Sequence, residues 1–211
     1  MRQEPRLTII VRGDDEYGLM HPYWMDENGE EVTVCPFSLS DLAEESEFLR
    51  DGHGETFANG QFSGASFADL CLEGTDFHRA RLERTDFRRA NLRMANFSFA
   101  DLVGANLCHA DLTYAELFMA VMVGADLRYA DLCKANLRSC SLGCANLEGA
   151  DLEFAILAEA DLRGVNLRDV NLHAAFFEGA LYDANTVLPM TSAEARSLGM
   201  ILTTRTAECC R

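Results

Sequence analysis

Residues 100–134 read ADLVG ANLCH ADLTY AELFM AVMVG ADLRY ADLCK when broken every five places. A small residue opens each block and a large apolar one stands third. Working outward in steps of five, the large position is filled at Phe57, Phe62, Phe67, Leu72, Phe77, Leu82, Phe87, Leu92 and Phe97, and onward without exception to Phe177 and Tyr182, making 26 consecutive units. Of the 24 positions two places before it, from Ala65 to Ala180, 18 are Ala; the others are Leu70, Thr75, Thr85, Cys140, Val165 and Val170.

Neither standard element buries this pattern. Five steps along an α-helix rotate a side chain by about 140° beyond a full turn, so the leucines would circle the axis. In a continuous strand an odd step puts successive leucines on opposite faces. The conflict disappears if three residues form a short extended side, small and large residues inward, and two residues form a corner. Repeated corners wind a coil, and stacked coils pair their backbones at about 4.8 Å. No proline between Pro36 and Pro189 removes a donor from such ladders.

This A(D/N)LXX pattern, from Phe57 to Tyr182, resembles the pentapeptide-repeat family. The resemblance implies an all-β fold, a right-handed quadrilateral β-helix with four pentapeptides per coil. A small N-terminal α/β cap region and a C-terminal helix are expected to flank it. We divide the chain into residues 1–54 as a strand and helix cap, 55–184 as the β-helix, and 185–211 as a helical cap and dimerisation segment. The 26 units give six and a half coils, roughly 31 Å of shaft. Residues twenty apart then stack, so Phe57, Phe77 and Phe97 form one inner column and Phe67 and Phe87 another, giving way to leucine ladders near residue 100.

Both ends of such a shaft need covering. At the amino end, Leu7–Val11, Tyr23–Met25 and Val32–Cys35 read as short strands with a turn at Asn28 and Gly29. A helix is expected over Asp41–Arg50, capped by Ser40, with Leu42, Phe48 and Leu49 on one side. At the carboxyl end, Thr191 and Glu194 form a capping box after Pro189, opening a helix that contains Ala195, Leu198, Met200, Ile201 and Leu202. The last four are candidates to cover the final coil or, as the family suggests, to meet a second copy in a homodimer.

The 34 acidic and 18 basic residues leave a net charge of −16, which excludes direct nucleic-acid binding and favours basic partner surfaces. The opening segment lacks the pattern of a secretory or transit peptide, and no apolar run is long enough for a membrane helix, so no membrane association is expected. Eight cysteines without a disulfide framework fit a reducing cytoplasm.

Catalytic chemistry has no constellation to carry it. His21, His53, His78, His109 and His173 are dispersed without metal-ligand spacing, and no phosphate-binding loop or nucleophile motif occurs. Cys140 falls on an inward position as a substitute for Ala, and Cys209 and Cys210 read as tail thiols. No cofactor and no metal are expected, and the chain reads as a binding protein rather than an enzyme.

The informative polar positions lie between Ala and Leu. Asp111, Asp131 and Asp151 stack in one outward column, while Asp86 and Asp126 share another with Asn106. Short polar side chains there can satisfy backbone donors at corners. Alternatively they form an ordered line of negative charge like a phosphate backbone. Residues 55–184 carry 19 acids and 11 bases, a net −8, against about 18 charges on duplex DNA of that length, so uniform mimicry fails. The acids concentrate after residue 94. Earlier, Arg79, Arg81, Arg84, Arg88, Arg89 and Arg93 lie among acids and read as a mutually neutralising face.

Two functions follow. By resemblance to topoisomerase-directed, Qnr-like members of the family, the shaft would occupy the DNA-binding saddle of DNA gyrase or topoisomerase IV and protect it from poisons. Asp101, Asp111, Glu116, Asp126, Asp131, Asp151 and Asp161 would be the partner-binding residues. In the alternative, the shaft is a rigid adaptor whose corner residues hold another protein.

Overall fold

In a computed structural model, residues 8–13, 20–25 and 57–206 are described. From Gln61↔Arg81 to Asp161↔Leu181, each outward residue pairs in parallel with the residue twenty places on. Four five-residue sides therefore make one coil. We number them along the chain: side 1 contains residues 110–114 and their equivalents twenty apart, side 2 115–119, side 3 120–124 and side 4 125–129.

The inward positions are buried as the period requires. From Phe67 to Leu167 every large repeat residue is buried, and the small positions are closed as well from Leu70 on. Small and large residues alternate along each side, so the tube fills without a central channel. Side 2 stacks Phe57 on Phe77 at 5.4 Å and Phe77 on Phe97 at 4.9 Å between ring centroids. Across the tube Phe67 stacks on Phe87 at 5.1 Å. The two columns meet edge to face, Phe87 against Phe97 at 5.7 Å and 85°. Stacking within a column and tilted contact between columns are both favourable for aromatic quadrupoles.

The corners rest on a backbone feature. Every second residue after the large one, from Asn59 to Gly179, has φ between 54° and 76°. The N–H of the following residue donates to the carbonyl of the large residue, as Ala110 does to Leu107 at 3.0 Å, which closes a β-turn with positive φ at its third position. Eighteen of these residues are not glycine, among them Phe99, Tyr114, Tyr129 and Phe154. Left-handed backbone costs such residues about 1–2 kcal/mol each. The ladder holds them there: their own N–H groups donate to the next coil, as Tyr114 does to the Cys133 carbonyl at 3.0 Å.

Inward polar atoms bond to the coil before. Thr85 Oγ1 donates to the Phe62 carbonyl at 2.9 Å, and the Cys140 thiol donates to the Leu117 carbonyl at 2.7 Å. Burial pushes the Cys140 thiol up to about 12, which leaves it protonated and inert.

The winding continues one unit beyond Tyr182. Val187 pairs with Asn166, twenty-one places away, and Leu188 packs against the core. The extra residue is absorbed by Asp183, a buried carboxylate whose Oδ1 accepts from the N–H groups of Gly164, Asn185 and Thr186 and from Thr186 Oγ1, all between 3.0 and 3.1 Å. The hydroxyl of buried Tyr182 has no hydrogen-bond partner among the described residues.

Helix α1, Ser192–Ser197, follows with the capping box of Thr191 and Glu194. It is shorter than the sequence suggests. Gly199, at φ 84°, stops it: its N–H donates to the Arg196 carbonyl and the N–H of Met200 to that of Ala195, the Schellman arrangement that a left-handed residue permits. Coiling then resumes. Met200 takes the inward place twenty residues after Ala180 and is only 3% exposed. Ile201–Leu202 pairs in parallel with Leu181–Tyr182, two short strands we call β4 and β3. Of the four helix residues expected to cover the final coil or meet a second copy, Leu198 is the helix cap, Met200 is core, and exposed Ile201 and Leu202 are strand.

At the amino end β1, Thr8–Gly13, pairs antiparallel with β2, Met20–Met25, with Ile10 opposite Tyr23. The strand expected at Val32–Cys35, the turn at Asn28 and Gly29 and the helix over Asp41–Arg50 lie outside the described residues.

Candidate protein-binding surface

Each five-residue unit has five backbone donors, and in the regular coils four of them find backbone carbonyls. The one left over belongs to the residue after the large apolar one. Wherever Asp or Asn precedes the large residue, its Oδ1 accepts that N–H: fifteen such residues occur from Asp76 to Asn171 and all fifteen do so. The consensus Asp or Asn is thus first a backbone ligand, an Asx turn that completes the winding. Asn supplies the same oxygen as Asp, so the choice of a charged residue is free of folding demands.

The seven acids singled out from the sequence divide among all four sides. Asp111, Asp131 and Asp151 stand together on side 1 as successive paired residues. Asp101 and Asp161 share a column of side 3 but are separated by Val121 and Ser141. Glu116 is on side 2, where it accepts from Asn136 Nδ2 at 2.7 Å, and Asp126 is on side 4. Their surroundings also differ. Arg128 grips Asp126 at 2.7 Å and Arg163 grips Asp161. Arg93 lies 3.5 Å from Asp111. Asp101, Glu116, Asp131 and Asp151 have no ion pair among the described residues.

Side 1 is therefore the coherent acidic surface. Over residues 110–114, 130–134 and 150–154 it carries Asp111, Asp131, Asp151 and Glu153 against Lys134 alone. That lysine is partly committed, its Nζ 2.7 Å from the Tyr114 hydroxyl and 4.9 Å from the ring centroid. Carboxylates in the column recur about every 4.8 Å, against one charge per about 1.7 Å on duplex DNA.

The early arginines are largely paired: Arg81 with Glu83 at 2.9 Å, Arg88 with Asp86 at 2.7 Å, Arg89 with Asp69 at 2.6 Å. Hydrogen bonding to Arg88 and Arg128 holds the carboxyls of Asp86 and Asp126 below their ordinary 3.8. A lowered carboxylate contributes stability that is present above that value and lost as the pH falls through the lowered one. Exposure of the guanidinium partners keeps the contribution small.

No group of three or more His, Cys, Asp or Glu residues is placed to hold a metal among the described residues. His109 stacks on Tyr129 at 5.1 Å, and His78 and His173 meet phenylalanines edge on. Cys71, Cys108, Cys133 and Cys140 form no disulfide. No helix among the described residues is long and apolar enough to cross a membrane.

The sequence pattern of the family described as pentapeptide repeats matches residues 61–98, 90–128, 120–153 and 145–181, together more than half the chain. The chain belongs to the pentapeptide-repeat family. Pentapeptide-repeat proteins form right-handed β-helices, the architecture into which these coils fall. Among solved structures of the family, a pentapeptide repeat protein (Rfr23) from the cyanobacterium Cyanothece 51142 is 39% identical over 48% of this chain and 63% of that one, with a TM-score of 0.37. The chain thus spans less than two thirds of that relative. The pentapeptide repeat protein alr5209 from Nostoc Pcc 7120 is 36% identical over 56% and 84%, with a TM-score of 0.26. QnrB1, a plasmid-mediated fluoroquinolone resistance protein, is 22% identical over 72% and 86%, with a TM-score of 0.37. No curated protein matches the chain.

Proposed function

We propose that this pentapeptide-repeat protein is a non-enzymatic binding protein whose side 1 engages a basic protein surface, and that DNA gyrase or topoisomerase IV is the partner, held at its DNA-binding saddle and protected from poisons. A cytoplasmic location and a homodimer joined at the C-terminal end, through Leu198, Ile201 and Leu202, go with this reading. The observation that carries it is the unbroken run of Asp111, Asp131 and Asp151. Asn would complete the same turns without placing like charges side by side, which is unfavourable in paired strands. Accepting that repulsion makes sense if the charge is used outside the fold.

The test follows from the same point. Replacing Asp111, Asp131 and Asp151 together by Asn keeps the Asx acceptors and removes three charges. The variant is expected to melt at or above the parent temperature at low salt, the difference shrinking as ionic strength rises. It is expected to lose the parent's effect on gyrase supercoiling and on poison-induced cleavage at low micromolar concentration. An unchanged effect contradicts the acidic-face reading, and no effect from the parent itself contradicts the choice of topoisomerase.

A rigid adaptor without topoisomerase activity is the second reading. What favours it is the scatter of the other four acids over three sides, two of them held by arginines.

A further inference from the structure

The column that begins side 2 reads Asp76, Asn96, Glu116, Asn136, Ile156 and Phe176. Its last two places carry neither Asp nor Asn, as Val121 and Ser141 on side 3 also do not, but here the two exceptions are large, apolar and adjacent. Ile156 and Phe176 pair with one another in successive coils, point outward and are 41% and 55% exposed. Neither can accept the N–H that an Asx residue would. Around the preceding corner stands Phe154, 48% exposed, with its ring edge to face with His173 at 5.8 Å. Departures from local consistency with no folding gain concentrate at functional surfaces.

Acids outnumber bases around these three residues, Lys134 and Arg138 being the cations of the coil before. Residues 150–159 and 170–179 contain Asp151, Glu153, Glu159 and Glu178 and no Lys or Arg. Glu159 is bonded to Arg138 and Ser139 of the coil before; among the described residues the other three have no ion pair. An exposed aromatic and aliphatic patch rimmed by carboxylates is complementary to a segment that offers apolar side chains flanked by Lys or Arg. Ion pairs would form at the rim, and cation–π contacts at Phe154 and Phe176. A second copy of this chain, itself at −16, is the wrong partner for a rim of that sign.

We propose that the corner formed by Phe154, Ile156 and Phe176 docks a basic amphipathic segment of a protein partner. The surface is separate from the Asp111–Asp131–Asp151 column in its apolar residues and does not depend on the partner being a topoisomerase.

The test uses the full chain and two short synthetic peptides of equal charge, one alternating Leu with Lys in a helical pattern and one with Ser for every Leu. Binding is read by fluorescence anisotropy at about 0.15 M salt, where long-range attraction to the acidic shaft is screened. The Leu–Lys peptide is expected to bind at least about tenfold more tightly than the Ser–Lys peptide. The double variant Ile156→Asn, Phe176→Asn restores two Asx acceptors, so it is expected to fold at least as stably as the parent while losing that preference. Val121→Ser, on side 3, is expected to retain it. Equal binding of the two peptides overturns the proposal, as does a preference that survives the double substitution or disappears with Val121→Ser. The gyrase assays are untouched by any of these outcomes.

Discussion

Leu127→Asp is expected to leave no folded shaft. Leu127 is completely enclosed, with Leu107 and Leu147 before and after it in the inner column of side 4. A carboxylate there has neither water nor a cation, and an unpaired buried charge costs several kcal/mol even after the surroundings relax. Domains of this size are stable by about 5–15 kcal/mol, so one such site removes most of the margin. Coils also contact only their neighbours, so a failure in the middle divides the stack into halves. Leu127→Ala removes the same contacts without adding charge and is expected to cost about 2–5 kcal/mol. Urea unfolding followed by circular dichroism separates the three proteins. A Leu127→Asp variant that unfolds at the parent midpoint would place that side chain outside the tube.

Asp183→Ala is expected to loosen the carboxyl end, by about 2–4 kcal/mol where the transition of the last coils is resolved. One buried oxygen of Asp183 accepts from three backbone N–H groups and one hydroxyl. The donors of Asn185 and Thr186 belong to the six-residue detour that lets Val187 and Leu188 rejoin the stack, and the N–H of Gly164 ties that detour to the coil before. Alanine offers no acceptor and leaves part-buried donors unmet, the expensive side of hydrogen-bond energetics. Asn keeps the oxygen, so Asp183→Asn is expected to fall nearer the parent. Equal unfolding of the parent and both variants would show that the detour does not depend on this carboxylate.

Much of the shaft is legible in the sequence because one geometric quantity, the twenty-residue coil, fixes both the stacking of Phe77 on Phe97 and the alignment of Asp111 with Asp131. The dual character of the Asp and Asn positions is legible too, since a short polar residue beside a corner has a backbone donor within reach. What escapes is what local preference argues against. Tyr114, Tyr129 and Phe154 avoid left-handed backbone on their own, and only the ladder places them there. A signal for it exists: Gly64, Gly74, Gly104, Gly124, Gly149, Gly164 and Gly179 all fall on this one phase of the repeat. The unit ending at Leu188 escapes because a single inserted residue breaks the period. Met200 escapes because an apolar run after a capping box reads as helix, whereas Gly199 returns the chain to the coil. For the candidate site, the acids are visible but their grouping is not apparent from their number: three share a side, and four are dispersed or neutralised.

Amide hydrogen exchange resolved by residue tests the winding most directly. In the middle coils the N–H groups of Leu127, Tyr129, Ala130 and Asp131 are bonded to backbone carbonyls, whereas that of Arg128 is bonded only to the Asp126 side chain. Protection should therefore dip at every fifth residue, at the position following each large apolar one. The dip should be deepest where no Asp or Asn supplies an acceptor, as at Val123 and Ala158. Uniform protection, or protection recurring with the 3.6-residue period of a helix, would contradict the five-residue coil and every surface assigned from it.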